Sequence, residues 1–448
     1  MMKDLVRRVG HANVRAAILV PTRNRPALAA AAVQSVLAQL PASVEIAVSD
    51  NSTNAADRED LRHRCEKLAE GRRVRRMYPP KYMSMADHWA WALDQLLAET
   101  DATHVAILTD RMVFKPRRLS RLLEVAAKNP NDVISYNHDM VDDHCQPVAL
   151  RLAEWSGLVV RINSDALIRM GSQAESHPSL PRMMNCLVPV TAFEDIRARF
   201  GSIFGSISPD HCFAYRYLAV RKSLLYFDEP LLVHYALDRS NGASYARGIV
   251  SEDSADFARR LGSALMNERA PVPEFHTIMN AVVNEYCYVR EELSGGFPPI
   301  DMPSYLDTME VGISEIEDPE LRNQMRELLR AQDRHQVWRR RPLKLVRHLS
   351  RLARTGIAHP TRFAHRVLER GARVLSDHAS TSASPVAQWL DRLGLLTGWA
   401  GTATFATVAE AIDFACRRER PSNARATHLL RLVEEDELRR SVRNRMPS

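Results

Sequence analysis

The sequence predicts an α/β fold built on a doubly wound, mainly parallel sheet, and three observations carry that expectation. Short apolar runs alternate with helix-patterned segments through the first part of the chain. The connections between them are brief and polar. Each of three apolar runs ends in a polar cluster, which in a parallel sheet brings those clusters to one rim, outside the carboxyl ends of the strands.

Residues 16–20 (AAILV) form the first such strand, and Pro21-Thr22-Arg23-Asn24-Arg25-Pro26 is the turn behind it. Ala27 to Leu40 is alanine-rich and stops before Pro41, as a helix should. Val44 to Ser49 is the second strand and ends in Asp50-Asn51-Ser52-Thr53; a helix from Asp57 to Glu70 and a strand from Arg73 to Met77 follow. Tyr78 to Leu97 reads as a proline-bounded loop running into a helix whose Met85, Trp89, Ala92, Leu93 and Leu96 recur at helical spacing, a core face. Val105 to Leu108 is a third apolar run, and Thr109-Asp110-Arg111 closes it before Pro116. Asp110 can cap the next helix or anchor a ligand, and the segment alone leaves both open.

Leu119 to Ala127 then reads as a helix and Asp132 to Tyr136 as a strand. Asn137 to His144 holds two histidines and three aspartates within eight positions, the residue types of a metal site. Its place between two strand-like runs favours a polar hairpin turn. Met183 to Phe204 is mixed helix and turn. Asp210 opens a helix, where it serves either as a dipole-favoured first-turn acid or as a general base. Leu224 to Tyr226 and Leu231 to Tyr235 read as short strands, and 237–248 as a Ser/Asn/Gly loop of the kind that closes over ligands.

The segments ILVPTRNRP, EIAVSDNST, MSMADHWAWAL, ILTDRMVFKP, SPDHCFAYRYLA and HYALDRSNG, in this order, resemble the family 2 glycosyltransferases of GT-A fold. The resemblance implies a GT-A-type, Rossmann-like mixed sheet flanked by helices over residues 14–250, followed by an α-helical carboxyl-terminal extension. It implies that Pro21, Thr22, Asn24 and Arg25 line a nucleotide pocket, that Asp50 meets the base, and that Asn51 and Ser52 support that turn. The family's aspartate motif falls on Asp110-Arg111-Met112, Asp210 matches the catalytic base, and His234 with Ser240 and Asn241 lies near the diphosphate. The activity implied is inverting transfer of a sugar from a nucleotide-diphosphate donor, a UDP-sugar above all, to a hydroxyl of a glycan or lipid-linked acceptor in polysaccharide or glycoconjugate synthesis.

The family commonly uses Mg²⁺ or Mn²⁺, and here Met112 stands where the last aspartate would be; a thioether is a poor ligand for a hard cation. Three readings follow: a metal held by Asp110 and His234, cationic side chains such as Arg111 in place of the metal, or a degenerate domain that binds nucleotide sugars or a partner without turnover.

Composition narrows the class. The chain has 448 residues with 45% hydrophobic and 26% charged content, an ordinary globular balance with room for two or three domains. Six cysteines (65, 145, 186, 212, 287 and 416) include no C-x-x-C pair, which argues against a zinc ribbon or disulfide framework and for a reducing, cytoplasmic compartment. The first residues lack the apolar stretch of an export signal, and the longest uncharged run, Leu393 to Ala409, holds four threonines and three glycines and suits helix-plus-turn better than a membrane span.

Net charge is +7, but residues 334–373 alone hold twelve Lys/Arg against Glu369, leaving −4 on the remainder. Within that segment Lys344, Arg347, Arg351 and Arg354 share one helical face and Leu345, Leu349 and Leu352 another, suiting either an anionic membrane surface or a solvated face over a core helix. Nucleic acid is not expected, since no recognition motif accompanies the charge. Helices are expected at 253–268, 276–293 and 318–334. The expected divisions are a helical region at 251–375, a linker at 376–385 and a small helical tail at 386–448.

Overall fold

The computed structural model describes residues 14–39, 44–69, 74–153, 155–205, 208–248, 267–334, 401–418 and 428–433. The amino-terminal alternation is as expected: β1 (Ala16–Thr22), α1 (Pro26–Leu37), β2 (Val44–Asp50), α2 (Ala55–Ala69), β3 (Val74–Met77), α3 (Met85–Glu99) and β4 (His104–Ile107). Strands β4, β1, β2 and β3 are mutually parallel neighbours, with Thr22 level with Asp50 at the strand ends. Asn24 adopts the left-handed conformation (φ 54°), which asparagine tolerates better than most residues, and so turns the chain sharply from β1 into α1.

Beyond β5 (Met112–Phe114) and α4 (Arg118–Lys128) the sheet becomes mixed. It comprises β6 (Ile134–Asp142), β7 (Val148–Leu152), β8 (Val159–Asn163), β9 (Cys186–Pro189) and β10 (Ser223–His234), with β11 (Gly401–Phe405) and β12 (His428–Val433) from the far carboxyl terminus. The order is β12-β8-β10-β6-β9-β4-β1-β2-β3, while β5 pairs with β10, β7 with β6, and β11 with β7.

Alternation along β1 divides the core. Ala17 and Leu19 face a cluster with Trp89, Leu93, Phe193 and Phe213, from α3, α6 (Val190–Phe200) and α7 (Pro209–Val220). Ala16, Ile18 and Val20 face the opposite cluster, formed with α1, α2 and α4. Helices on both faces of a mostly parallel sheet bury each strand on both sides, which is why the strands read as continuous apolar runs.

Four expectations need correction. The first is the polar stretch 137–144. Asn137 to Asp142 continue β6, and the turn occupies 143–147; the polar residues are accommodated because each acid has a partner, as described below. The second is the pair of short strands at 224–226 and 231–235, which are one strand, β10, with register shifts around Pro230. Asp228 and Glu229 look like a break in sequence. In the fold Asp228 accepts from Ser156 N (3.0 Å) and Oγ (2.6 Å), and Glu229 pairs with Arg118 and Arg121 (2.9 and 2.6 Å).

The third concerns 237–248, a structured segment made of the 3-10 turn Leu237–Arg239 and the short helix α8 (Asn241–Arg247). The fourth is the tail. Gly401–Phe405, inside the run read as helix-plus-turn, is a strand antiparallel to β7, and β12 is parallel to β8. The alternate threonines of GTATF and its closing phenylalanine suit a strand, and an open sheet edge supplies the pairing partner. Between these strands lies a helix (Val408–Arg417), whose Ala411 and Ala415 pack on Val113, Val233 and Tyr235.

The helical extension is present as α9 (Ile278–Glu292), α10 (Met302–Ser314) and α11 (Pro319–Arg334), around Phe275, Tyr305, Met309 and Ile313, and the Val408–Arg417 helix is α12. Glu285 and Glu292 of α9 reach the sheet domain: Glu285 Oε1 accepts from Ser208 N (3.2 Å), and Glu292 binds the fully buried Arg216 of α7 (2.6 Å). The expected helix at 253–268, the basic face at 344–354 and the linker at 376–385 lie outside the described residues. No helix among the described residues is long and apolar enough to cross a membrane.

Candidate functional site

The carboxyl ends of β1, β2 and β4 meet as the alternation requires, and their polar residues are wired to one another. Thr22 Oγ1 donates to Asp110 Oδ2 (2.9 Å), and Arg25 Nη1 lies 3.5 Å from Asp110 Oδ1. Arg25 also donates to the carbonyl of Arg239 (2.5 Å), which draws the 237–240 turn, with the buried Ser240, onto the same rim. Pro21 pairs with Ser49 inside the sheet and helps to fix the register at that end.

The Asp50 turn forms a second knot. Asp50 is buried; its Oδ1 accepts from Ser52 N (2.9 Å), while its Oδ2 has no hydrogen-bond partner among the described residues. Ser52 Oγ accepts from Asn24 N (2.7 Å), and Asn24 Oδ1 accepts from Thr53 N (2.9 Å). Asn51 holds the 78–84 loop by donating to Met83 O (2.9 Å) and accepting from Met83 N (3.1 Å). A buried carboxylate oxygen left without a donor is costly unless a ligand or water supplies one. Tyr78, 43% exposed, follows β3 at the same end of the sheet.

Arg111 and His234 form the third contact. Arg111 Nη1 donates to His234 Nε2 (2.8 Å), so that nitrogen is an acceptor and the neutral ring carries its proton on Nδ1. Burial, then the charge of Arg111, drives the His234 pKa well down, and His138, edge-on at 5.8 Å, is lowered to about 3 by burial and by Arg182 and Lys115.

Asp210 sits in the first turn of α7, buried, with His211 Nδ1 at 3.3 Å. Burial raises its pKa, but His211 and Arg182 outweigh that and hold it down at about 2, so it is ionised at neutral pH. No hydrogen bond or ion pair among the described residues joins Asp210 to the Asp110 group. The charge of Arg182 reaches both Asp210 and His234. The side chain of Asn241 lies outside the described residues.

The residue set was tested against a divalent cation. Met112 is 1% exposed and packs into the α1–α4 core with Phe114 and Leu119, so that position gives the rim no side chain at all. The two oxygens of Asp110 face Thr22 and Arg25, and His234 Nε2 is taken by Arg111. The acids of 137–144 are likewise occupied: Asp139 by Lys115 and by Ala153 N, Asp142 by Arg151 and Arg247, and Asp143 by Leu237 N. Among the described residues no group of three His, Cys, Asp or Glu is arranged to hold a metal ion. Asp110 with His234 does not fit a divalent cation in this arrangement.

Sequence reasoning missed Arg182, Tyr78 and the Asn51–Met83 clamp, and set His138 in a polar turn. Arg182, Tyr78 and the clamp carry no periodic or motif signal.

Residues 17–174 match the family model for glycosyl transferase family 2. Similar solved structures include S. aureus TarS 1-349, at 12% identity over 70% of this chain and 83% of that one with a TM-score of 0.39. The same protein in complex with UDP-GlcNAc is 14% identical over 70% and 84%, TM-score 0.39. S. aureus TarS itself is 13% identical over 71% and 53%, TM-score 0.37. No curated protein matches the chain.

Proposed function

We propose that the protein is an inverting glycosyltransferase that moves a sugar from a nucleoside-diphosphate donor, a UDP-sugar, to a hydroxyl of a glycan or lipid-linked acceptor in polysaccharide or glycoconjugate synthesis. The observation that carries this reading is the convergence of Thr22, Arg25, Asp50 and Asp110 at one rim of a family 2 domain, with a buried, ionised aspartate at the start of α7.

In this reading the nucleoside lies over the Asp50 turn. Asp50 Oδ2, which lacks a donor among the described residues, accepts from the base or ribose, and Tyr78 offers a ring face for stacking. Asn24, Asn51 and Ser52 keep that turn rigid. Asp210 takes the proton of the acceptor hydroxyl as its oxygen bonds to the anomeric carbon; the bond to the phosphate oxygen breaks and the nucleoside diphosphate leaves with the electron pair. A carboxylate with pKa about 2 is a weak base in the free protein. A diphosphate drawing on the charge of Arg182 raises its basicity at the moment it is needed.

A donor-panel assay for transfer to a synthetic acceptor tests the reading. Asp210→Asn is expected to abolish transfer, at least about 100-fold in kcat, while UDP affinity stays within a few-fold. Full activity in Asp210→Asn removes it as the base. The second reading, a domain that binds nucleotide sugars without turnover, is favoured by one observation, the core-facing Met112. Donor binding with no turnover across the panel would establish it.

A further inference from the structure

We propose that Glu285 of α9 is a positioning residue for the transfer: by holding the start of α7 it aims the Asp210 carboxylate at the acceptor hydroxyl. This rests on the transferase reading above, with Asp210 as the base.

The place of Asp210 is set by its helix. Among the described residues the contacts of its carboxylate are with His211, its neighbour in the same turn, so the carboxylate goes where the first turn of α7 goes. That turn starts without the usual support. Ser208 stands at the cap position, but its side chain makes no capping hydrogen bond, and Pro209 behind it brings no N–H. The backbone of Ser208 carries the turn instead: its carbonyl accepts from His211 N (3.0 Å) and Cys212 N (2.9 Å). Its own N–H donates to Glu285 Oε1 (3.2 Å), 77 positions further along the chain.

Glu285 is built to hold that position. It is fully buried. Asn284 Nδ2 donates to the same Oε1 (3.3 Å), and Asn284 Oδ1 in turn accepts from Arg269 N (2.9 Å), so the acceptor oxygen is fixed from the far side as well. Glu292 lies two turns further on the same face of α9 and pairs with Arg216 (2.6 Å), which also donates to Ser202 O and Oγ (both 3.0 Å). Between the two acids, Tyr286 meets Tyr215 edge-on at 5.3 Å. Helix α9 thus holds the body of α7 through Glu292 and its start, two residues before Asp210, through Glu285.

Misplacing a reacting group by about 1 Å costs on the order of 100-fold in rate. The Asp50 turn and the Asp110 group are built on β1, β2 and β4, so loss of the Glu285 bond falls on the chemical step and spares donor binding.

The test is steady-state transfer by the full chain, with calorimetric titration of UDP, in Glu285→Met, Glu285→Asp and Glu285→Gln. Methionine has a similar length and no strong acceptor, aspartate keeps the carboxyl but withdraws it from Ser208, and glutamine keeps an oxygen in place. Met and Asp are expected to lower kcat about 10- to 100-fold, with the KM for donor and the UDP affinity within about two-fold of the parent. Gln is expected to recover most of that loss. Amide hydrogen exchange should quicken at 211 and 212 in Met and Asp and stay unchanged at 216–220. Should Glu285→Met fail to fold, Glu285→Asp decides. An unchanged kcat in the folded variants, UDP affinity falling in step with kcat, or Gln as impaired as Met overturns the proposal. A parent chain without turnover on any donor overturns the transferase reading and this inference with it, whereas unimpaired variants of an active parent overturn this inference alone.

Discussion

Thr22 Oγ1 and Asp110 Oδ2 lie 2.9 Å apart although the residues are 88 positions apart in the chain, and this buried hydrogen bond locks the end of β1 to the end of β4. Through Arg25 the same carboxylate holds the turn that carries Ser240. Thr22→Val keeps the shape of the side chain and leaves one buried carboxylate oxygen without its donor. The expected cost is about 1–3 kcal/mol in urea unfolding, with a several-fold rise in the KM for donor. An unchanged unfolding midpoint would show that Asp110 finds another donor.

Asp142 works as a clamp at the far end of β6. It pairs with Arg151 of β7 (3.0 Å) and with Arg247 at the end of α8 (3.3 Å), while its neighbour Asp143 accepts from Leu237 N (3.0 Å). The segment over the rim is therefore held at both ends by the hairpin. Asp142→Asn is expected to raise the KM for donor more than it lowers kcat, and to speed limited proteolysis within 237–248. Equal proteolysis rates in the two proteins would rule the clamp out.

Stability should fall as pH drops below about 6.5. Burial lowers the pKa of His88 and His104 to about 4 and that of His138 to about 3. Above the ordinary histidine value both folded and unfolded forms are neutral at these positions. Below it the unfolded chain binds protons that the folded chain refuses, so each group removes up to about 1.4 kcal/mol per pH unit until its folded-state pKa is reached. Asp210, held at about 2, adds a loss of the same sign between the ordinary carboxylate value and that pH. Thermal midpoints measured from pH 7.5 to 4 should therefore fall monotonically. His88→Gln, which can keep a hydrogen bond to Ser49 Oγ (2.7 Å in the parent), should flatten the slope by about one proton.

The far carboxyl terminus is part of the sheet. A chain ending before Gly401 loses β11 from the edge of β7 and uncovers Val113, Val233 and Tyr235, next to His234. Such a truncation is expected to lower the thermal midpoint by several degrees and to promote association through the bared β7 edge. A truncated chain that is monomeric and equally stable would show that the tail is dispensable.

What was legible and what was not separate by physical cause. Local pattern determined most strands and helices of the first 128 residues nearly to their ends, with β5 (Met112–Phe114) missed, because continuous apolar runs and helical periodicity record which faces are buried. Topology followed: parallel strands end at one rim, which brings Thr22, Asp50 and Asp110 together. The sequence misled where a polar group is satisfied at a distance. Asp228 and Glu229 look like a break until Ser156, Arg118 and Arg121 arrive from elsewhere, and GTATF reads as part of a helix-plus-turn run until β7 offers it an edge.

The same distinction applies to the site. The sequence by itself determined a mainly parallel sheet with acidic residues at its strand ends. Only the tertiary structure decided that Met112 belongs to the core, that Asp110 is occupied by Thr22 and Arg25, that His234 serves Arg111, and that Arg182 reaches Asp210 and His234 alike. Periodicity reports the direction in which a side chain points, whereas partnership between charged groups depends on segments far apart in sequence that meet only when the chain has folded.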